Sequence, residues 1–576
     1  MKTLVITACV LVITAVAIVY FIAPTVFWTE RNAAKGNPRS AESVTARVDK
    51  LFAQWNRSDS PGCSLGVSRN GAVVYERGYG MANLELGVPI TPASVFHVAS
   101  VSKQFTAMSI LLLAQRGQLS LDDEVRKYIT EWADHGSRLT IRHLLTHTSG
   151  LRDAFLLEGL APPREDVVDR NDAIVKILAR ARGLNFTPGT EYQYNNGGYT
   201  LLANIVKRVS GQSLRAFADA NIFNPLGMTH THFHDDPTMI VPNRASGHHL
   251  DAGGLQVAIR GDPGGIVGNA GLFTTARDLL LWEQNFADVR VGEPALVAAM
   301  QTPTVLTSGD TSLYGFGLEI GEYRGLRTIG HGGGDPGYRA YVVRYPDQGL
   351  AVAVLCNLDD IDPATLTRGV ADIHLADAFA TPSANSATPP HVSLSAEQLA
   401  SKVGLYRDPS NESVGRIFVR DGKLMASEGA GEGESVELTP VSANRFVVRG
   451  TAIAVEFVPA APGRPQEIHV TGAGKPVVSQ QVTTSFTPSS TELRALAGAY
   501  TSAELEGTYT LAARDSGLVI QIPGRADIVL QPIFPDAFAG AIVGVVKFAR
   551  DARGVVTGFT VNASGARGLR FDRVRR

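Results

Sequence analysis

The chain has 576 residues, 44% hydrophobic and 19% charged, with a formal net charge of −2. That length exceeds what one hydrophobic core organises and predicts three or four domains. The balance of 53 basic and 55 acidic side chains excludes a nucleic-acid surface built on bulk charge, and three cysteines (Cys9, Cys63, Cys356) are too few for a disulfide framework.

Residues 3–28, TLVITACVLVITAVAIVYFIAPTVFW, carry no charge. A helix of that length reaches across a bilayer and exceeds the apolar core of an ordinary signal peptide, so residues 1–29 read as an uncleaved anchor rather than a removed signal. Ala15-Val16-Ala17 offers a cleavage site, but apolar residues continue past it. ITAC at 6–9 is shaped like a lipoprotein box, with too little apolar sequence before it. Lys2 on one side and Arg31, Lys35 and Arg39 on the other leave the orientation open.

Residues 40–60 read as an amphipathic helix. CSLGVSRNGAVVYERGYG (63–80) follows as two strands about an Asn70-Gly71 turn. Helices at 103–116 and 171–182, with glycine-rich loops between, fill the middle. Strand character returns near 325–357, where RAYVVRYPDQGLAVAVLCNL reads as a hairpin turning at Pro346–Gly349. Strands at both ends with helices between predict an α/β (α+β) domain over 40–379, with one antiparallel sheet built from both ends of the domain and flanked by helices. Cys63 and Cys356 both fall in strand-like stretches and could pair; two buried free thiols is the expected reading.

A Pro/Ser/Ala linker at 380–393 leads into an internal repeat. Leu399, Gly404, Tyr406, Arg420, Asp421 and Leu424 recur, offset by 94, as Leu493, Gly498, Tyr500, Arg514, Asp515 and Leu518. Leu438, Pro440 and Phe446 match Leu530, Pro532 and Phe538, and Phe457 and Gly463 match Phe548 and Gly554. Both copies, 394–484 and 491–576, alternate apolar and polar residues in short runs and read as small antiparallel β-barrels.

The candidate chemistry begins at Ser100 and Lys103, three apart at the start of a helix whose next apolar residues are Phe105, Met108 and Ile110–Leu113. An i, i+3 pair shares one helical face. A partly desolvated lysine there loses its proton more easily and can take the serine's. Tyr194 and Asn196, in a glycine-rich loop leading into a helix, offer a phenol and an amide. His331-Gly332-Gly333-Gly334 lies at a strand edge, where glycines let backbone N–H groups come close to a substrate. Each piece alone has a structural explanation; the set in this order reads as a site.

The segments VASVSKQFTA, LSLDDEVRKYI, IRHLLTHTSGL, FTPGTEYQYNNGGYTLL and NAGLFTTARDLL, across roughly 45–375, resemble the β-lactamase-related serine hydrolases, which include class C β-lactamases, D,D-peptidases, D-aminopeptidases and some esterases. The resemblance implies that Ser100 is the nucleophile, that Lys103 and Tyr194 share the proton transfers, and that Asn196 holds the acyl-side amide of the substrate. It places the oxyanion between the backbone N–H groups of Ser100 and Gly334, with His331 and Gly333 completing the third motif. β-Lactamases and D,D-peptidases usually carry a lysine where His331 stands, and a neutral imidazole offers no fixed charge to a substrate carboxylate. His-x-Gly followed by two lipocalin-like barrels is similar to the D-aminopeptidases, in which a loop of the last barrel shapes the site.

Two histidine clusters remain. His230, His232 and His234 stand at strand spacing beside Asp235 and Asp236 and could ligate a metal, but NPLGMTHTHF resembles an ordinary loop of the family, so no metal is expected. His143 and His147, one turn apart in RHLLTH, read as stabilising a helix end by hydrogen bonds. The resulting expectation is a membrane-anchored, extracytoplasmic serine hydrolase, with its catalytic part in the periplasm or outside the cell. It needs no cofactor and acts through an acyl-enzyme on D-residue-containing peptides or amides. Alternatives are an esterase, a β-lactamase or D-Ala-D-Ala carboxypeptidase, and a non-catalytic penicillin-binding-like sensor.

Overall fold

The computed structural model describes residues 43–575 apart from 133–135, 164–169, 259–264, 380–391, 411, 433–434, 449–452, 472–476, 483–485, 515–516 and 564. The expected anchor and most of the expected linker lie outside these residues. Among the described residues no helix is long and apolar enough to cross a membrane.

Six antiparallel strands form the central sheet: β1 (Cys63–Arg69), β2 (Ala72–Tyr79), β3 (Glu319–Tyr323), β4 (Leu326–Asp335), β5 (Tyr338–Tyr345) and β6 (Leu350–Cys356). Their spatial order is β3-β4-β5-β6-β1-β2, so both ends of the domain do contribute to one sheet. Asn70 and Gly71, both at positive φ (50° and 80°), make the β1–β2 turn whose twist suits a hairpin. β6, LAVAVLC, has no polar alternation and is buried throughout, because helices cover both faces of the sheet. On one face lie α1 (Val44–Phe52) and a late helix, Pro363–His374; Val48, Phe52 and Val370 share a core with Leu65, Val352 and Val354. On the other, Ala340, Val342 and Ala353 join a larger core with Met108, Leu280 and Trp282.

Two elements differ from expectation in extent. The helix expected over 40–60 ends at Phe52, because residues 53–59 offer only Trp55 to the core and are otherwise mostly exposed. The helix expected at 103–116, here α2 (Lys103–Gln115), is buried from Lys103 to Leu113 on all sides rather than along one stripe, making it the central helix of the domain.

The expectation for the cysteines is corrected. Cys63 and Cys356 are directly opposite in the β1–β6 ladder, with Cα atoms 4.1 Å apart, and form a disulfide. The pairing follows from sheet closure between segments 293 residues apart, which no local pattern reveals.

The repeat folds into two closed eight-stranded barrels, Gly404–Gln481 and Gly498–Arg573. The recurring residues carry equivalent contacts. Tyr406 donates to the Lys402 carbonyl (2.9 Å) and Tyr500 to the Leu496 carbonyl (2.6 Å). Pro440 faces Phe446 as Pro532 faces Phe538, and a Ser395/Gln398 capping box recurs as Ser489/Glu492. The second barrel docks on the domain that carries the six-stranded sheet. Buried Arg152 and Glu504 pair, and Tyr509 and Arg525 donate to the carbonyls of Leu160 (2.9 Å) and Glu158 (2.7 Å).

A disulfide closing so long a loop typically contributes about 2–4 kcal/mol. The double variant Cys63→Ala/Cys356→Ala is expected to fold but to melt about 5–10 °C lower, measured by calorimetry of the purified protein. An unchanged melting temperature would show that the bond adds nothing to the sheet.

Candidate active site

Ser100 sits in a turn of 3-10 helix, Ala99–Ser102, that runs directly into α2. The residue before it, Ala99, is held at φ 46°, a left-handed conformation costing a non-glycine residue roughly 1–2 kcal/mol. The turn is kept in place by its surroundings: Val98 N–H donates to the Leu272 carbonyl (3.0 Å) and Ser102 Oγ to the Ala99 carbonyl (2.5 Å).

Lys103 is fully buried. Its Nζ lies 2.9 Å from Ser100 Oγ, 2.8 Å from Asn196 Oδ1 and 2.8 Å from the Asn269 carbonyl. Burial pushes its pKa well below the ordinary lysine value, opposed only in part by the Glu319 carboxylate. A neutral amine has two N–H groups and one lone pair. Two of its three partners are carbonyl oxygens, which only accept, so both N–H groups go to Asn196 and Asn269. The lone pair is left for the one partner that can donate, the Ser100 hydroxyl.

Asn196 opens α3 (Asn196–Ser210), and Asn195 caps it, its Oδ1 accepting from Gly198 N–H at 2.9 Å. Asn195 also donates to the Leu151 carbonyl (2.8 Å) and, through its backbone, to His147 Nδ1 (3.0 Å). This clamp fixes Tyr194, whose hydroxyl faces Ser100 and whose ring centroid lies 4.7 Å from Lys103 Nζ. Burial holds the phenol pKa well above its ordinary value, so Tyr194 carries its proton.

His331 is 2% exposed and neutral, its pKa pushed down to about 3 chiefly by burial. Its Nδ1 lies 2.6 Å from the Gly332 carbonyl and therefore donates to it; Nε2 accepts from Tyr314 Oη at 3.0 Å. Gly333 has a steric task. A Cβ there would lie 2.1 Å from the Val98 carbonyl and 3.1 Å from Ser100 N, so only glycine lets β4 pass this close to the Ser100 turn. At Gly334 a Cβ would meet only the Arg339 side chain, at 3.5 Å or more.

The structure thus brings Ser100, Lys103, Tyr194, Asn196, His331, Gly333 and Gly334 to one place. His147, Tyr314, Glu319 and Asn269 were not anticipated there. The expectation for His147 is corrected: it lies beyond the helix Ile141–Leu145, at φ 57°, and its ring packs 4.3 Å from that of Tyr194. His143 does cap that helix, at its start, with Thr140. The signal for His147 was its place in THTSGL, but its partner Asn195 is 48 residues away. Glu319 is a carboxyl raised to about 7 by burial. In the other cluster, the rings of His232 and His234 pack against Phe273 at 5.9 and 4.9 Å. Among the described residues no group of three or more His, Cys, Asp or Glu is placed to hold a metal ion.

The family described as Beta-lactamase matches residues 47–375, more than half of the chain. The chain belongs to the β-lactamase family. Within this β-lactamase-type domain and its surroundings, curated relatives include a D-aminopeptidase of Brucella suis (biovar 1, strain 1330), 30% identical over 304 residues, which are 52% of this chain and 57% of the relative. A D-aminopeptidase of Gluconobacter oxydans (strain 621H) is 29% identical over 322 residues, 55% of this chain and 60% of the relative. The match thus spans less than two thirds of either relative. Among solved structures, the octameric penicillin-binding protein homologue from Pyrococcus abyssi superposes with a TM-score of 0.52 at 22% identity, covering 76% of this chain and 99% of that one. The D-amino acid amidase from Ochrobactrum anthropi SV3 gives a TM-score of 0.50 at 22% identity over 58% of this chain and 99% of that one. These two likenesses are of fold.

The second barrel reaches this β-lactamase-type site through Asn185. Asn185 Nδ2 donates to Gln193 Oε1 (2.7 Å) and to the Gly565 carbonyl (3.2 Å), its Oδ1 accepts from Arg567 N–H (2.9 Å), and the Arg567 guanidinium lies 3.1 Å from Glu191. The barrel is therefore tied to the strand of chain just before Tyr194. Arg567→Ala should slow labelling of Ser100 by a fluorophosphonate about tenfold, because small displacements of a catalytic group are costly. Equal labelling rates with an intact barrel would show that the loop sets itself.

Acid should unfold the domain early. His331 and His147 are neutral when folded, both held below the ordinary imidazole value of 6.5 by burial. The unfolded chain binds their protons first, so the stability they allow is complete above about pH 6.5 and is lost as pH falls from there toward 3. The melting temperature should drop steeply over that window, and His331→Gln should flatten the drop. An equal slope in the variant would assign the acid sensitivity elsewhere.

Proposed function

We propose that the protein is a serine hydrolase acting through an acyl-enzyme on peptides or amides whose acyl residue has the D configuration. The observation that carries the mechanism is the partner set of Lys103, which leaves the amine lone pair facing the Ser100 hydroxyl. Ser100 Oγ attacks the substrate carbonyl carbon as Lys103 Nζ accepts its proton. The carbonyl oxygen becomes an oxyanion between the N–H groups of Ser100 and Gly334. Tyr194, protonated and in contact with Ser100, delivers a proton to the leaving nitrogen as the C–N bond breaks, and the new Lys103 ammonium restores it. Water, deprotonated by the same pair, then releases the acyl group. Asn196, whose oxygen is taken by Lys103, has its amide donors left for the acyl-side carbonyl.

The substrate class is supported by the two D-aminopeptidase relatives and by the neutral, buried His331, which provides no charge for a carboxylate beside the scissile bond. The Cys63–Cys356 bond supports an oxidising, extracytoplasmic compartment for the catalytic domain, in keeping with the uncharged stretch at 3–28.

Ser100→Ala should abolish fluorophosphonate labelling, and Lys103→Ala should slow it about 10²–10⁴-fold with the fold retained. In a panel of D- and L-aminoacyl anilides, short esters and a chromogenic cephalosporin, the D-aminoacyl anilides should give the highest kcat/KM. Labelling at another serine would overturn the mechanism. Faster turnover of the esters or the cephalosporin would replace the substrate assignment with an esterase or a β-lactamase.

A further inference from the structure

We infer that His97 and Asp335 form a positioning tie that sets the distance between the two backbone N–H groups, of Ser100 and Gly334, that receive the oxyanion; the inference rests on the acyl-enzyme reading above. His97 precedes the nucleophile by three residues and Asp335 directly follows Gly334. His97 Nδ1 lies 2.9 Å from Asp335 Oδ2, with the two side chains 2% and 11% exposed. His97 Nε2 accepts from Gly271 N–H at 3.2 Å. With that nitrogen accepting, the ring proton of the neutral imidazole sits on Nδ1, on the side of the carboxylate.

The two halves of the oxyanion site belong to different parts of the fold. The Ser100 half hangs from the short pairing of Phe96–His97 with Leu272–Thr274, on the far side of the strained Ala99. The Gly334 half is the end of the β4–β5 hairpin, where Asp335 faces Tyr338. Gly333 brings the two backbones into contact but, lacking a side chain, gives no lateral grip. The His97–Asp335 contact supplies that grip. Its imidazole is wedged between Phe273 (5.1 Å) and Tyr338 (5.9 Å), so it cannot swing away, and the contact is largely shielded from water. Neither side chain is assigned a role in the proton transfers, so the pair acts through the backbone it fastens. Preorganised donors matter in the transition state far more than in the ground state; loosening them should therefore lower kcat and spare KM.

The test compares Asp335→Ala, Asp335→Asn, His97→Gln and the double variant His97→Gln/Asp335→Ala in the full chain. The readouts are the rate of Ser100 labelling by a fluorophosphonate, kcat and KM on the best substrate of the panel, and the melting temperature. Asp335→Ala should slow labelling and kcat about 30- to 300-fold with KM within about twofold. Asp335→Asn, which keeps an oxygen at the same place beside Nδ1, should stay within about fivefold of the wild type. The double variant should be no slower than the slower single one, because one tie can be cut only once. If Asp335→Ala does not fold, Asp335→Ser and His97→Gln carry the same comparison. Wild-type labelling rates in Asp335→Ala, an Asp335→Asn defect as deep as that of Asp335→Ala, or additive losses would each overturn the tie while leaving the acyl-enzyme reading intact. Absence of Ser100 labelling in the wild type would instead remove the acyl-enzyme reading, and the tie with it.

Discussion

A primary amine shut away from water is the constraint around which the β-lactamase-type domain is arranged. An ammonium in the position of Lys103 would face a desolvation cost of several kcal/mol, so the amine is held neutral, and a neutral amine in a dry place must find a partner for each N–H and for its lone pair. Those partners come from three elements: the Ser100 turn, the first residue of α3 and the segment around Asn269. The packing of α2 against α3 and the path of residues 268–269 between them can be read as consequences. Thr106 donates to the Gly268 carbonyl (2.8 Å) and Thr200 to Asn269 Oδ1 (3.2 Å), fixing the segment from both helices.

The same burial governs the imidazoles. Desolvation keeps His147 and His331 uncharged, and an uncharged imidazole has one donor and one acceptor to place. His331 spends them on Gly332 and Tyr314, His147 accepts from Asn195, and the tyrosines fill the space between. With Tyr194 and Tyr314 also held protonated, the site holds little fixed charge, and Glu319, on the sheet edge, is the carboxyl whose field Lys103 feels. Charge that appears during a reaction would therefore be answered by oriented N–H groups rather than by counter-ions.

Sequence made legible what is local. Ser100 and Lys103 are one helical turn apart, Tyr194 and Asn196 flank one helix cap, and the Asn70-Gly71 turn announces its hairpin, so local spacing brought each pair to notice, and the set in order, with the family resemblance, made them a candidate site. The barrel repeat was readable because its contacts are short-range: a tyrosine bonded four residues back and a proline facing a phenylalanine six residues on. What failed was long-range. Cys63 meets Cys356 only because β1 closes against β6, and His147 acquires its role only when Asn195 arrives to donate to it. Burial on every side of α2 also could not be told from burial on one, since an apolar run reads alike in both.

The two barrels show how a duplicated fold comes to serve two ends. The residues that recur between the copies, the tyrosines, leucines and phenylalanines, are mostly those of the barrel cores. The residues by which the second copy grips the β-lactamase-type domain stand apart from them. Glu504 and Tyr509, at the offset of 94, stand where the first copy has Ser410 and Gly415. A serine cannot replace the carboxylate that receives Arg152 and the Arg182 N–H, and a glycine cannot replace the phenol that reaches Leu160. The first copy instead meets the second, with Glu412 joining Lys547 at 2.7 Å and Val414 packing with Ile533, Ala537 and Val545. A buried ion pair such as Arg152–Glu504 adds little net stability but penalises every docking that leaves either charge alone. It therefore selects which barrel lies beside the Tyr194 loop and in what orientation, and Asn185 converts that choice into a hydrogen bond to Gln193, next to the phenol itself.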